Sequence, residues 1–142
     1  MGIYSHILLG LDLSQDSDLV ATKGANLAKL NDATLSMVHV IEPLSFAYGG
    51  DIPMDFSTVQ EEIYRQAELQ MRKLGSKWGV PEERQHVVIG RPESEIHSLA
   101  EELNADLVMV GSHGRHGLAL VFGSTANGVL HGATCDVLAV RV

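Results

Sequence analysis

Five short apolar runs, spaced by segments with helical periodicity, constrain this chain more than any other feature. The runs are His6–Leu11, Thr34–Ile41, Gln85–Ile89, Asp106–Val110 and Asp136–Val142. After the first run, Ser14 is placed to cap a helix, with Asp16 and Asp18 favourable in its first turn. Val20, Gly24, Leu27 and Ala28 share one face of that helix, which should stop near Asn31 and Asp32. The spacing Thr58-x-x-Glu61 resembles a capping box before a longer helix. Its inward stripe is read as Val59, Ile63, Ala67, Met71, Leu74 and Trp78. Pro92 opens a third helix at a favoured first position, with Ile96, Leu99, Ala100 and Leu103 facing inward. Strands alternating with helices make an α/β domain with a parallel, doubly wound sheet and right-handed crossovers. The 142 residues fit a single domain over 1–142. Only residues 42–57 break the rhythm. Pro43, Gly49, Gly50 and Pro53 interrupt regular structure there, and Phe46, Tyr48 and Phe56 could fold back as a flap.

Such a sheet takes ligands at the carboxyl ends of its strands, where the strand order reverses. With the first strand central and the fourth beside it, Gly10-Leu11-Asp12 and the segment after Val110 share one crevice. That segment is rich in glycine. Gly111-Ser112-His113-Gly114 is followed by Gly117 and by Gly123-Ser124-Thr125, and Ala126–Leu130 can open a helix. Glycines allow close approach of backbone N–H groups to an anion, and a helix start adds free donors and a positive dipole end. A strand, a glycine loop and a helix start together form a phosphate cradle. The same arrangement also occurs as a plain connection, so both readings stand at this point.

Composition excludes several partner classes. The formal net charge is −8 and no basic cluster is present, which argues against nucleic acid and anionic membrane. No apolar run approaches the ~18 residues needed to cross a bilayer. The start of the chain shows no secretory signal, which makes the cytoplasm the expected compartment. Cys135 is the only cysteine, so an intrachain disulfide is excluded, and it reads as a small buried apolar residue.

Taken together, several segments resemble the universal stress protein family, in particular its A type. They are His6-Ile7-Leu8-Leu9-Gly10-Leu11-Asp12-Leu13-Ser14, Val38-His39-Val40, Gly90-Arg91-Pro92, Asp106 through Gly114, and Cys135-Asp136-Val137-Leu138-Ala139-Val140. The resemblance spans nearly the whole chain. It implies a Rossmann-like five-stranded parallel sheet of order 3-2-1-4-5 with helices on both faces. It also implies a cytoplasmic stress-response module that forms homodimers through the last strand and acts with an unknown protein partner. Some members bind ATP through Gly, two residues, Gly, nine residues, then Gly followed by Ser or Thr.

Carried over by position, Gly111 and Gly114 match the first two glycines. Skipping nine residues lands on Ser124 and then Thr125, whereas Gly123-Ser124 arrives one residue early. Leu11 and Asp12 match the end of the first strand, Asp12 standing near the ribose or a phosphate-bound magnesium. Val40 matches the position whose backbone meets the adenine. His113 and Arg115 are candidate loop and phosphate contacts. The implied ligand is therefore ATP, with magnesium as a candidate companion.

His113 and His116 are three apart, but no third ligand stands at a telling spacing, so no metal site is assigned to the protein itself. His39, inside a strand, reads as a hydrogen-bonded core residue. A phospho-acceptor receiver is rejected because Ile89-Gly90 supplies no acceptor aspartate after the third strand. No Ser-His-Asp set or carboxylate pair stands out, so the chain reads as no enzyme, with at most very slow ATP hydrolysis. Two readings remain. One is a nucleotide-binding stress module; the other is a nucleotide-free dimeric interaction protein whose glycine loop is only structural.

Overall fold

A computed structural model of the chain describes residues 2–43, 57–112 and 124–142, with the backbone alone at 57 and 124–126. The elements in chain order are β1 (His6–Gly10), α1 (Ser17–Asn31), β2 (Thr34–Ile41), α2 (Ser57–Trp78), a single 3-10 turn (Glu82–Arg84), β3 (Gln85–Ile89), α3 (Pro92–Glu102), β4 (Leu107–Gly111), α4 (Ser124–His131) and β5 (Asp136–Val140). The strands form one parallel sheet of order β3-β2-β1-β4-β5. This is the expected topology. The order reverses at β1, where β2 lies on one side and β4 on the other.

The pleat divides the core in two. Ile7, Leu9 and Leu11 join Met37 and Met109 on one face, beneath Val20, Ala21 and Ala28 of α1 and Met71 of α2. Leu8, Val38, Val108 and Val110 point to the other face, beneath Ile96, Leu99 and Ala100 of α3 and Val129 of α4. Ile7, Leu8, Leu9, Met37 and Met109 have no exposed surface, which is what a central strand covered on both faces requires. Two glycines permit this packing. A Cβ on Gly24 would run into the Leu9 side chain, so α1 rests directly on β1. A Cβ on Gly10 would lie 3.0 Å from Val110 Cγ1 and 3.1 Å from Ile96 Cδ1.

Local expectations fail at identifiable places. Ser14 does not cap α1. The cap position is Asp16, whose side chain makes no capping bond. Ser14 is drawn instead into a turn with Asp12. Thr58 does not start α2, because the helix already includes Ser57. The inward stripe of α2 holds only in its second half. Ala67 and Met71 are buried, and Leu74 and Trp78 pack against the core, whereas Val59 is 52% exposed and Ile63 37%. In the first two turns other residues face the protein: Gln60 Nε2 is buried, and the Tyr64 hydroxyl donates to the Val87 carbonyl of β3 at 3.1 Å. β1 ends at Gly10 rather than Leu11, and β4 runs from Leu107 to Gly111. Cys135 is partly buried against the α3 and α4 side of the core, and burial pushes its thiol above the usual range.

Candidate functional site

The crevice is built where β1 and β4 end side by side. Gly10 is paired with Val38 on β2 and with Val110 on β4, so the segments that leave β1 and β4 emerge at the same height. The β1–β4 register ends at Gly10 and Val110, so the Leu11–Asp12 turn and the Gly111–Ser112 segment leave from neighbouring strand ends.

Leu11 is tied at both ends of its backbone. Its N–H donates to the Val38 carbonyl at 2.9 Å. Its carbonyl accepts the Nδ1–H of His39 at 2.7 Å. His39 is buried, as its place inside a strand led us to expect.

Asp12 then organises the turn into α1 through a single oxygen. Its Oδ1 accepts the Ser14 N–H at 2.9 Å, the Ser14 hydroxyl at 2.6 Å and the Ser17 hydroxyl at 3.2 Å. Ser14 Oγ accepts the Asp16 N–H at 3.2 Å. Between Asp12 and Ser14, Leu13 sits at φ +61°, a left-handed conformation that is uncommon for a bulky residue and carries a cost of about 1–3 kcal/mol. The three bonds to Asp12 offset that cost. They engage Oδ1 only, and Oδ2 takes part in none of them. The spacing Asp12-x-Ser14-x-x-Ser17 was the available sequence signal for this arrangement. It went unread because Ser14 was assigned to the helix cap.

Val40 lies one residue past His39 on β2. The Gly90 N–H donates to the Ile41 carbonyl at 2.9 Å, so the peptide groups of Ile41 face β3. By strand alternation those of Val40 face the opposite side, where β1 has already ended. The Val40 N–H and C=O are thus turned to the crevice.

On the β4 side, Gly111 is the last strand residue and pairs with Val140. A Cβ at Gly111 would make only ordinary contacts, 3.6 Å from Val20 and 3.7 Å from Val142. Unlike Gly10 and Gly24, this glycine is not demanded by packing against the described residues. Ser112 is buried and anchors the end of β5. Its N–H donates to the Val140 carbonyl at 2.8 Å, and its Oγ accepts the Val142 N–H at 3.3 Å.

The structure therefore brings Leu11, Asp12, Val40 and Gly111 together. His113, Gly114, Arg115 and Gly123 lie outside the described residues, as does His116. Ser124 and Thr125 open the backbone of α4. Among the described residues no cluster of three or more His, Cys, Asp or Glu could hold a metal ion. The turn also borders a cavity of about 230 Å³, with Leu13, Ser14 and Ser17 on one side and Gln70, Lys73 and Leu74 of α2 on the other.

A five-stranded parallel sheet of this order, with helices on both faces, defines the Rossmann-like class of α/β domains. The comparisons identify the family within that class. Residues 3–141 match the model of the universal stress protein family. Universal stress protein A homolog 1 from Coxiella burnetii is 46% identical over 139 residues, which is 96% of each chain. Among solved structures, the universal stress protein UspA from Lactobacillus plantarum superposes with a TM-score of 0.79 at 22% identity, covering 97% of this chain and 98% of that one. A universal stress protein in complex with cAMP superposes with a TM-score of 0.64 at 22% identity, covering 96% of each. This chain belongs to the universal stress protein family.

Proposed function

We propose that this protein is a cytoplasmic stress-response module that binds an adenine nucleotide, ATP, in the crevice between the ends of β1 and β4. The observation that carries the reading is the convergence there of three groups suited to a nucleotide. They are the crevice-facing peptide of Val40, the pinned carboxylate of Asp12 with Oδ2 outside its own turn, and Gly111, which packing against the described residues does not require. Val40 would meet the base. Asp12 would meet the ribose or a phosphate-bound magnesium ion. The loop from Gly111 to Thr125 would hold the phosphates with backbone N–H groups. A family member carrying cAMP supports the adenosine part of this assignment. The role proposed is binding, with at most very slow ATP hydrolysis.

The module works as a homodimer joined through β5, with a further protein as its target. The two sheet edges differ in a way that supports this. On β3 the outward Val87 carbonyl accepts the Tyr64 hydroxyl at 3.1 Å, which guards that edge. On β5 the Val140 carbonyl faces β4, so the peptide groups of Val137, Ala139 and Arg141 alternate outward. Leu138 is 41% exposed beside them.

The second reading is a nucleotide-free dimer, and the spacing of eight residues between Gly114 and Gly123 favours it. Mass spectrometry of small molecules released from the freshly purified, folded protein separates the two. The nucleotide reading expects adenine nucleotide in the extract. Its absence, together with no uptake of added ATP, establishes the second.

A further inference from the structure

A parallel ladder has a fixed order of bonds. After the Leu11 N–H donates to the Val38 carbonyl, the next bond should run from the Val40 N–H to the Leu11 carbonyl. That bond is not among the backbone bonds made by the described residues. The Leu11 carbonyl accepts the Nδ1–H of His39 instead, at 2.7 Å. A side chain from β2 has taken the acceptor that the following amide of β2 would have used. His39 pairs with β3 through its own backbone, in register with Val87, while its ring reaches back to the end of β1. It is buried against the α1 and α2 side of the sheet, so the ring has little freedom to swing away.

We propose that His39 is a positioning residue that stops the β1–β2 ladder one bond short and so keeps the Val40 amide available to the ligand in the crevice. This rests on the nucleotide reading above. The consequence is local and specific. Without a donor at the place of Nδ1, the strands zip by one more bond. The Leu11 carbonyl turns to Val40, and the amide that should meet the base is consumed. The same bond fixes the Leu11–Asp12 peptide, and with it the distance between the Val40 backbone and the Asp12 turn.

Two substitutions separate this role from mere packing. Asn at position 39 places an N–H close to where Nδ1–H stands, whereas Gln places it one bond farther out. ATP affinity is measured by calorimetry, and hydrogen exchange of the Val40 amide by NMR without ligand. His39→Gln is expected to lower ATP affinity at least tenfold and to slow Val40 exchange. His39→Asn is expected to keep both within about twofold of the wild type. A folded His39→Gln variant with wild-type affinity and wild-type exchange overturns the proposal, as does a His39→Asn variant that loses as much as His39→Gln. Should the wild type itself bind no ATP, the nucleotide reading fails. Val40 exchange alone then judges His39: slowing in His39→Gln with none in His39→Asn upholds the ladder stop, and equal exchange in all three proteins overturns it.

Discussion

Replacing Asp12 by Ala removes the acceptor on which the β1–α1 turn converges, and its cost can be worked from the structure. Three donors lose one oxygen: the Ser14 N–H, the Ser14 hydroxyl and the Ser17 hydroxyl. Ser14 is only half-buried, so water can reach its groups. Ser17 is 3% exposed, and its hydroxyl loses this acceptor inside the protein. A buried donor left without a partner costs about 1–3 kcal/mol. The bonds that hold Leu13 at φ +61° also vanish, and the turn relaxes toward less strained conformations. A net loss of about 2–3 kcal/mol is expected. At about 2.1 cal/mol/K of unfolding entropy per residue, a chain of this length loses roughly 0.3 kcal/mol per degree, so Tm should fall by about 7–10 °C. Asp12→Asn keeps an oxygen at Oδ1 and removes the charge, so it should cost under about 1 kcal/mol in stability. It should still weaken magnesium–ATP binding by roughly tenfold or more, as expected when a hydrogen bond to a charged group is lost. Thermal unfolding followed by circular dichroism, with calorimetric titration of the same samples, measures both. An Asp12→Ala variant melting within 2 °C of the wild type (about 0.6 kcal/mol on the same conversion) refutes the account of the turn. So does an Asp12→Asn variant as unstable as Asp12→Ala.

Gly24→Ala is expected to destabilise by about 1–2 kcal/mol in urea unfolding. The new Cβ meets the fully buried Leu9 side chain, and this overpacking outweighs the roughly 1 kcal/mol that Ala gains over Gly in a helix; an unchanged midpoint contradicts the packing described at α1 and β1. Burial, helped by the nearby Arg84 charge, lowers the affinity of His6 for a proton, and burial does the same for His86. Both folded-state values therefore lie below the unfolded value of 6.5, and the unfolded chain takes up protons first as pH falls. Stability should be full above about pH 6.5 and decline below it until the folded-state values are passed. The doubly substituted His6→Gln, His86→Gln protein should lose that slope, and a wild-type curve flat from pH 7.5 to 5 counts against the assignment. Ala139→Pro removes an outward N–H of the edge strand, which a monomer tolerates. Light scattering should show the dimer replaced by folded monomer, and a persistent dimer places the interface elsewhere.

Much of the fold was legible because the apolar runs carry it directly. Strands buried on both faces, such as Ile7–Leu9 and Leu107–Val110, read as uninterrupted hydrophobic segments, and the helices between them leave a parallel sheet as the consistent arrangement. The strand order itself came from the family resemblance. Errors arose where a residue had two local options. Ser14 is a good helix cap by type, but the carboxylate of Asp12 two residues earlier offers a charged acceptor and wins its hydroxyl. Val59 and Ile63 continue a helical stripe, but burial depends on what a helix end lies against, which periodicity does not encode. At the site, Asp12 and Gly111 could be placed because they stand at or just past the carboxyl end of a strand, and Val40 came from the family resemblance. The interplay of His39 with the Leu11 carbonyl was hidden, since a histidine inside an apolar strand says nothing about which backbone group it will reach. Ser17 was invisible for the same reason: its partner is five residues away across a turn of unusual backbone geometry.

The most direct test of the central claim is calorimetric titration of magnesium–ATP into the nucleotide-stripped, folded protein, with magnesium–GTP and cAMP titrated alongside. The account predicts saturable binding of ATP with a dissociation constant on the order of micromolar, about −8 kcal/mol, and little or no binding of GTP, because the base is met by the Val40 backbone. The cAMP arm separates recognition of the adenosine part, which both ligands share, from recognition of the triphosphate by the loop after β4. No heat with millimolar ATP, from a protein whose unfolding is cooperative, would contradict the account and leave the crevice a structural feature of a dimeric interaction protein.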